Sequence, residues 1–168
     1  MRKSIIIEAR MTSSRLPGKH NYKVFNKAII EYLFLRLKKV NNINDIILAT
    51  TINEPDNILV EIAKKHKIKV FRGSEENVMQ RVLRSAEKFK TDIIISITAD
   101  CPLIDPKIIE HCINTFENND CDYLNNLFIP TYPGGMNCQV YYAKTLKKSY
   151  SSTKSKKHQE HVTLEIIE

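Results

Sequence analysis

No stretch of this 168-residue chain approaches the roughly 18 apolar residues that a membrane-spanning helix needs. Met1-Arg2-Lys3 has the basic character of a signal-peptide start, but Glu8 and Arg10 interrupt the apolar stretch that follows. A cytoplasmic protein without a membrane partner is expected. The four cysteines, Cys101, Cys112, Cys121 and Cys138, form no C-x-x-C pair, so free thiols are expected in place of disulfides or zinc sites. Glycine is scarce, with Gly18, Gly73, Gly134 and Gly135 its four occurrences, and each falls in a segment that reads as loop. Such loops are either ordinary turns or walls of a pocket, where glycine lets backbone approach a ligand. No internal repeat is visible.

What remains is an ordinary enzyme-sized composition. Hydrophobic residues make up 42% of the chain, enough to bury a core, and residues 1–168 read as a single domain. Lysine and arginine number 26 against 19 acidic residues, a net charge of +7. That balance suits an anionic partner without choosing among nucleotide, nucleic acid and membrane. The basic residues are scattered, and no aromatic RNA platform or recognition-helix motif accompanies them, so a nucleic-acid partner is not expected.

Short β-branched runs alternate with helical patterns. Ile5-Ile6-Ile7 and residues 46–50, 68–71 and 93–98 read as buried strands. Ile30, Leu33, Phe34, Leu37 and Val40 follow helical spacing, as do Val78, Val82, Ala86 and Phe89. Asn53-x-Pro55, Ser74 and Asp105-Pro106 stand at the heads of helical segments, where capping residues and an early proline belong. Continuous apolar strands between amphipathic helices predict an α/β domain, a mostly parallel sheet with helices on both faces. The Lys/Ser-rich stretch 144–157 reads as a solvated helix face followed by a loop.

Directly after the first strand, the chain gathers Arg10, Arg15 and Lys19 with hydroxyls at Thr12, Ser13 and Ser14 and a Pro17-Gly18 turn. This is neither a Walker A loop nor G-x-G-x-x-G. Three cations within ten residues can still neutralise a polyphosphate, the arginines as bidentate forks and the lysine as a point charge. Asp100, in Thr98-Ala99-Asp100-Cys101-Pro102, follows another apolar strand and so sits at the sheet edge where ligands bind. Its carboxylate suits Mg²⁺, which bridges one or two carboxylates to substrate phosphates, or else caps a turn before Pro102. Arg72-Gly73-Ser74-Glu75-Glu76 and Arg81 form a third group, in which Ser74 reads as a helix cap and Glu75 and Glu76 as acidic first-turn residues. His158-Gln159-Glu160-His161 lacks the spacing of the zinc-protease motifs, leaving His161 to meet a phosphate or sugar.

Five segments in order, Ala9-Arg10-Met11-x-Ser13-x-Arg15-Leu16-Pro17-Gly18-Lys19, Phe71-Arg72-Gly73-Ser74, Ile97-Thr98-Ala99-Asp100-Cys101-Pro102-Leu103-Ile104-Asp105, Gly135-Met136 and Glu160-His161-Val162-Thr163, carry a resemblance across nearly the whole chain. The sequence resembles the cytidylyltransferases of the spore coat polysaccharide biosynthesis protein F type, relatives of the CMP-sialate and CMP-KDO synthetases. The resemblance implies a nucleotide-diphospho-sugar transferase fold, glycosyltransferase A-like. It implies CTP-dependent nucleotidyl transfer to an acidic sugar or related acceptor, with pyrophosphate released, in the synthesis of polysaccharide or surface-glycan precursors. The implied partners are CTP and a small anionic acceptor, with room for a homodimer. By the same resemblance Arg10, Ser13, Arg15 and Lys19 surround the triphosphate, Arg72 and Arg81 border the nucleotide pocket, and Asp100 binds Mg²⁺. Arg15, Lys19 and Asp100 would then carry catalysis.

Three departures from the family pattern stand out. Ala99 replaces a frequent glycine before the metal-binding aspartate. The acceptor-side pattern P-x-G-x-D-x-E reads here Pro133-Gly134-Gly135-Met136-Asn137-Cys138-Gln139, with both carboxylates replaced by amides. By the resemblance, relatives continue well past Glu168, so a C-terminally short variant or a fragment is expected. Asn137 and Gln139, with His161, are acceptor-side candidates. The competing expectation is a truncated or degenerate homologue that binds nucleotide without turnover and serves as a subunit or regulator.

Overall fold

The computed structural model describes residues 1–13, 15–129 and 131–167. Its centre is a six-stranded sheet built on β1 (Lys3–Glu8), in which Ile5, Ile6 and Ile7 are all fully buried. A strand apolar on both faces must be covered on both, and the sheet supplies this. β4 (Asp45–Thr51) pairs with β1 in parallel, β5 (Lys69–Gly73) pairs with β4, and β6 (Ile93–Thr98) flanks β1 on the other side, also parallel. The antiparallel strands β7 (Tyr123–Asn125) and β8 (Gln139–Tyr142) complete the order β5-β4-β1-β6-β8-β7.

Side chains alternate between two cores. Ile5, Ile7, Ile93, Ile95 and Ile97 pack with α1 (Ile29–Leu37), α2 (Asn57–Lys65) and α4 (Pro106–Glu117). Ile6, Ile94 and Tyr141 pack with α3 (Val78–Phe89) and α5 (Ala143–Ser152). The expected sheet with helices on both faces is what forms. Two short helices, α6 (Lys156–Glu160) and α7 (Leu164–Ile167), close the chain, and a small hairpin of β2 (Lys23–Val24) and β3 (Lys27–Ala28) precedes α1. No helix among the described residues is long and apolar enough to cross a membrane.

Helix starts follow the sequence in part. Asp105 caps α4 by accepting from the Lys107 N–H at 2.8 Å, with Pro106 in the first turn. At α3 the cap is Asn77, which accepts from the Gln80 N–H at 2.8 Å, and not Ser74. Ser74 accepts from the Asn77 N–H at 3.0 Å instead, one step upstream. Glu75 and Glu76 therefore precede the helix and are not in its first turn. The Thr50–Asp56 region turns through a short 3-10 helix containing Pro55 before α2 begins at Asn57.

Candidate active site

Glu8 pairs in register with Thr98, and the Ala99 N–H donates to the Glu8 carbonyl at 3.2 Å. The carboxyl ends of β1 and β6 thus run side by side into one cleft of about 220 Å³. β1 is also where the strand order reverses, with β4 and β5 on one flank and β6, β8 and β7 on the other. Open α/β sheets bind ligands at such a point.

The loop leaving β1 is held at two places. The Gly18 N–H donates to the Met11 carbonyl at 2.9 Å, with Gly18 at φ 73°, a left-handed conformation that glycine adopts without strain. Asp56, fully buried, accepts from the Met11 N–H at 2.7 Å. Its second oxygen accepts from the Thr50 hydroxyl at 2.8 Å, the Thr51 N–H at 3.0 Å and the Thr51 hydroxyl at 2.5 Å. Burial raises the Asp56 pKa, but these donors, the Thr51 hydroxyl foremost, outweigh burial and hold it below the usual carboxylate value. A buried anion without a lysine or arginine partner is tolerable when its lone pairs are filled in this way. Anchored so, Arg10, Ser13, Arg15 and Lys19 all line the cleft. Ser14 lies outside the described residues.

Lys19 crosses the cleft to Asp100, with 2.8 Å between its Nζ and the carboxylate. His20, buried beneath them, points Nε2 at the same carboxylate from 3.9 Å. Burial lowers the His20 pKa, and Asp100 acts in the opposite sense. Arg10 lies 3.5 Å from Glu75, which also accepts from the Thr12 hydroxyl and the Asn53 amide.

The two remaining arginines divide. Arg81 reaches the cleft, almost completely buried, with its guanidinium donating to the Ala49, Ser74 and Glu75 carbonyls. It passes Gly73, where an added Cβ would lie 3.2 Å from Arg81 Cγ and 2.9 Å from the Phe71 ring. Arg72 does not line the cleft. Its guanidinium donates to the Thr51 carbonyl at 2.8 Å, the Asn57 side-chain oxygen at 2.7 Å and the Asn53 carbonyl at 2.8 Å, bracing the turn that carries Asp56.

Of the acceptor-side candidates, His161 lines the cleft beside Glu160, on the segment where α6 ends. Asn137 and Gln139 are not part of its lining. Gln139 opens β8, and its side-chain oxygen accepts from the Tyr123 hydroxyl at 2.9 Å and the Thr163 hydroxyl at 2.6 Å. It ties the edge of the sheet to the segment following α6. Glu8, His20 and Asp56 are the residues of this region that sequence reasoning passed over. For Glu8 a signal existed, since a carboxylate closing an apolar strand is the pattern that singled out Asp100.

No cluster of three or more carboxylate, histidine or cysteine ligands exists among the described residues. The donors present suit a hard cation shared between Asp100 and a substrate's phosphate oxygens, the arrangement in which Mg²⁺ needs few protein ligands.

Comparison with known proteins agrees with this geometry. The chain is 33% identical to the spore coat polysaccharide biosynthesis protein SpsF of Bacillus subtilis, over 96% of its own length and 68% of that protein. It is 27% identical to a 3-deoxy-manno-octulosonate cytidylyltransferase of Geobacter metallireducens, over 67% of this chain and 44% of that one. It therefore spans about two thirds of the first relative and under half of the second. The solved structure of a cytidylyltransferase from Leptospira borgpetersenii superposes with a TM-score of 0.95 at 34% identity, covering 99% of this chain and 71% of that one. The cytidylyltransferase family model matches residues 4–167. Matched by the family model over residues 4–167 and superposing over 99% of its length on a solved cytidylyltransferase, the chain belongs to the cytidylyltransferase family.

Proposed function

We propose that this protein transfers the CMP unit of CTP to a hydroxyl of a small sugar acid, releasing pyrophosphate. The observation that carries this reading is the convergence of Arg10, Ser13, Arg15 and Lys19 with Asp100 at the β1/β6 edge. Triphosphate binding calls for several cations within one loop, and this loop is fixed by Gly18 and Asp56. Arg10, Arg15 and Lys19 hold the phosphates and stabilise the charge that builds on the departing pyrophosphate. Ser13 adds a neutral hydrogen bond. His161, which lines the same cleft, would meet the acceptor's anionic group.

Asp100 would hold Mg²⁺ jointly with the phosphates, and the ion when bound would supply further charge neutralisation at phosphorus. Beyond that, the protein's contribution is positioning. A sugar acid is the acceptor class suggested by the octulosonate-specific relative and consistent with the chain's net charge of +7. The products would feed polysaccharide assembly.

In a second reading the chain binds nucleotide as a subunit without turnover; the amides at Asn137 and Gln139 motivate it, standing outside the cleft lining at positions where the resemblance implies two carboxylates. One experiment separates the two. Pyrophosphate release is followed with CTP, UTP, ATP or GTP, Mg²⁺ and a panel of sugar acids, alongside calorimetric binding of each nucleotide. Acceptor-dependent release confined to CTP supports transfer, whereas CTP binding without release supports the subunit reading.

A further inference from the structure

Glu8 ends β1 at the floor of the cleft, half-buried, with Ser96 of β6 donating a hydroxyl hydrogen bond to one carboxyl oxygen at 3.1 Å. No ion pair joins it to a lysine or arginine among the described residues. Arg81 is electrostatically near, yet its nitrogens donate to the Ala49, Ser74 and Glu75 carbonyls. Arg10, two residues on, faces Glu75. The Tyr141 hydroxyl, fully buried on β8, lies within electrostatic reach of Glu8. Of the other carboxylates lining the cleft, Asp100 is paired with Lys19 and Glu160 is exposed. Arg15, His20 and His161 complete its charged and titratable groups. Glu8 is thus the inward carboxyl that no cation claims.

We propose that Glu8 is the proton acceptor for the attacking hydroxyl in the transfer reaction. This inference rests on the function proposed above. As the acceptor's oxygen forms its bond to the α-phosphorus, its proton passes to a Glu8 carboxylate oxygen. The bond from the α-phosphorus to the bridging oxygen breaks, and that oxygen leaves with the electron pair as part of pyrophosphate. Glu8 then returns the proton to solvent. The other requirement for a proton acceptor is an affinity for protons close to the working pH. Burial raises the Glu8 pKa in that direction, while the Ser96 hydrogen bond and Arg81 pull the other way with less effect. Asp100, half in solvent against an ammonium, has neither the position nor the environment for this task.

The test compares wild type, Glu8→Gln and Glu8→Asp. The probes are CTP with Mg²⁺ and 3-deoxy-manno-octulosonate, with water as a second nucleophile read through CMP formation. Glu8→Gln should lower kcat about 100-fold at neutral pH and abolish the acid limb of the pH–rate profile. The CTP dissociation constant should stay within twofold and the melting temperature should not change. Glu8→Asp should restore part of the rate together with an acid limb. A Glu8→Gln variant with wild-type kcat and an unchanged acid limb overturns this inference while leaving CMP transfer standing. A wild-type protein that binds CTP but forms no product with either nucleophile overturns both.

Discussion

The Lys19 ammonium lies 2.8 Å from the Asp100 carboxylate, and the two side chains are 22% and 49% exposed. A pair so open to solvent contributes little stability, so exchanging it for a phosphate on one side and a cation on the other costs little. Lys19→Ala should weaken CTP binding by about 1.5–3 kcal/mol, the worth of a charge-assisted hydrogen bond, and Arg15→Ala should do the same. Lys156→Ala, at an exposed position of α6 that does not line the cleft, should change binding less than twofold. Isothermal titration with CTP checks all three, and equal small effects would remove the loop from the nucleotide site.

Asp100→Asn keeps the shape of the side chain and removes the charge that a hard cation needs. CTP affinity in wild type should rise on adding Mg²⁺ and fall again with a chelator, while in the variant it should respond to neither. Unfolding by urea should be unaffected, because the carboxylate is half in solvent. Identical Mg²⁺ titrations for the two proteins would make Asp100 a turn residue.

Asp56 should matter to both stability and binding. Four donors converge on its two oxygens. Asparagine offers one acceptor oxygen and turns an NH₂ toward groups that are themselves donors. Asp56→Asn should cost about 2–3 kcal/mol in urea unfolding. Because the Met11 N–H loses its partner, CTP affinity should also fall although no phosphate contact is removed. A variant that loses stability but binds CTP normally would show that Gly18 alone fixes the loop.

Gly73→Ala tests the packing that admits Arg81 to the cleft. The new Cβ would approach the Phe71 ring to 2.9 Å and Arg81 Cγ to 3.2 Å. Overpacking of this kind costs about 1–3 kcal/mol. A melting temperature equal to wild type would mean that the ring swings away freely.

The parallel half of the sheet was legible because its strands are short apolar runs, those of β1, β4 and β6 largely buried, as at Ile5-Ile6-Ile7. The antiparallel edge was not. β7 and β8 are only three and four residues long, and Tyr123, Asn125 and Gln139 give no apolar signature. The β2–β3 hairpin was hidden for another reason. Its turn residues Phe25 and Asn26 have φ 46° and 63°, where glycine would ordinarily announce the turn. Within the site, Arg10 to Lys19 and Asp100 could be read because their meaning is local to a strand end. Asp56 could not, since its role arises from partners at Met11, Thr50 and Thr51 brought together by the fold. Arg72 and Arg81 looked alike in sequence, and which of them reaches the cleft depends on the face each strand or helix presents.

The pH dependence of folding should report on Glu31. One carboxylate oxygen accepts from the Ala28 N–H at 2.8 Å, completing the start of α1, and the other meets His66 Nε2 at 2.8 Å and Lys65 Nζ at 3.1 Å. His66 contributes most to holding the pKa at about 2, against the 4.5 of an ordinary glutamate, with the Ala28 N–H and Lys65 adding to it against the opposing effect of burial. A carboxyl whose folded pKa is depressed stabilises the native state fully above its unfolded pKa and loses that contribution as the pH falls through the folded one. Wild type should therefore lose up to about 3 kcal/mol from this group between about pH 5 and pH 2. Glu31→Gln should be less stable than wild type at pH 7, with the gap closing across the same interval. Urea unfolding of both proteins at half-unit pH steps measures it, and a gap that stays constant with pH would place the stabilisation in the shape of the side chain and not in its charge.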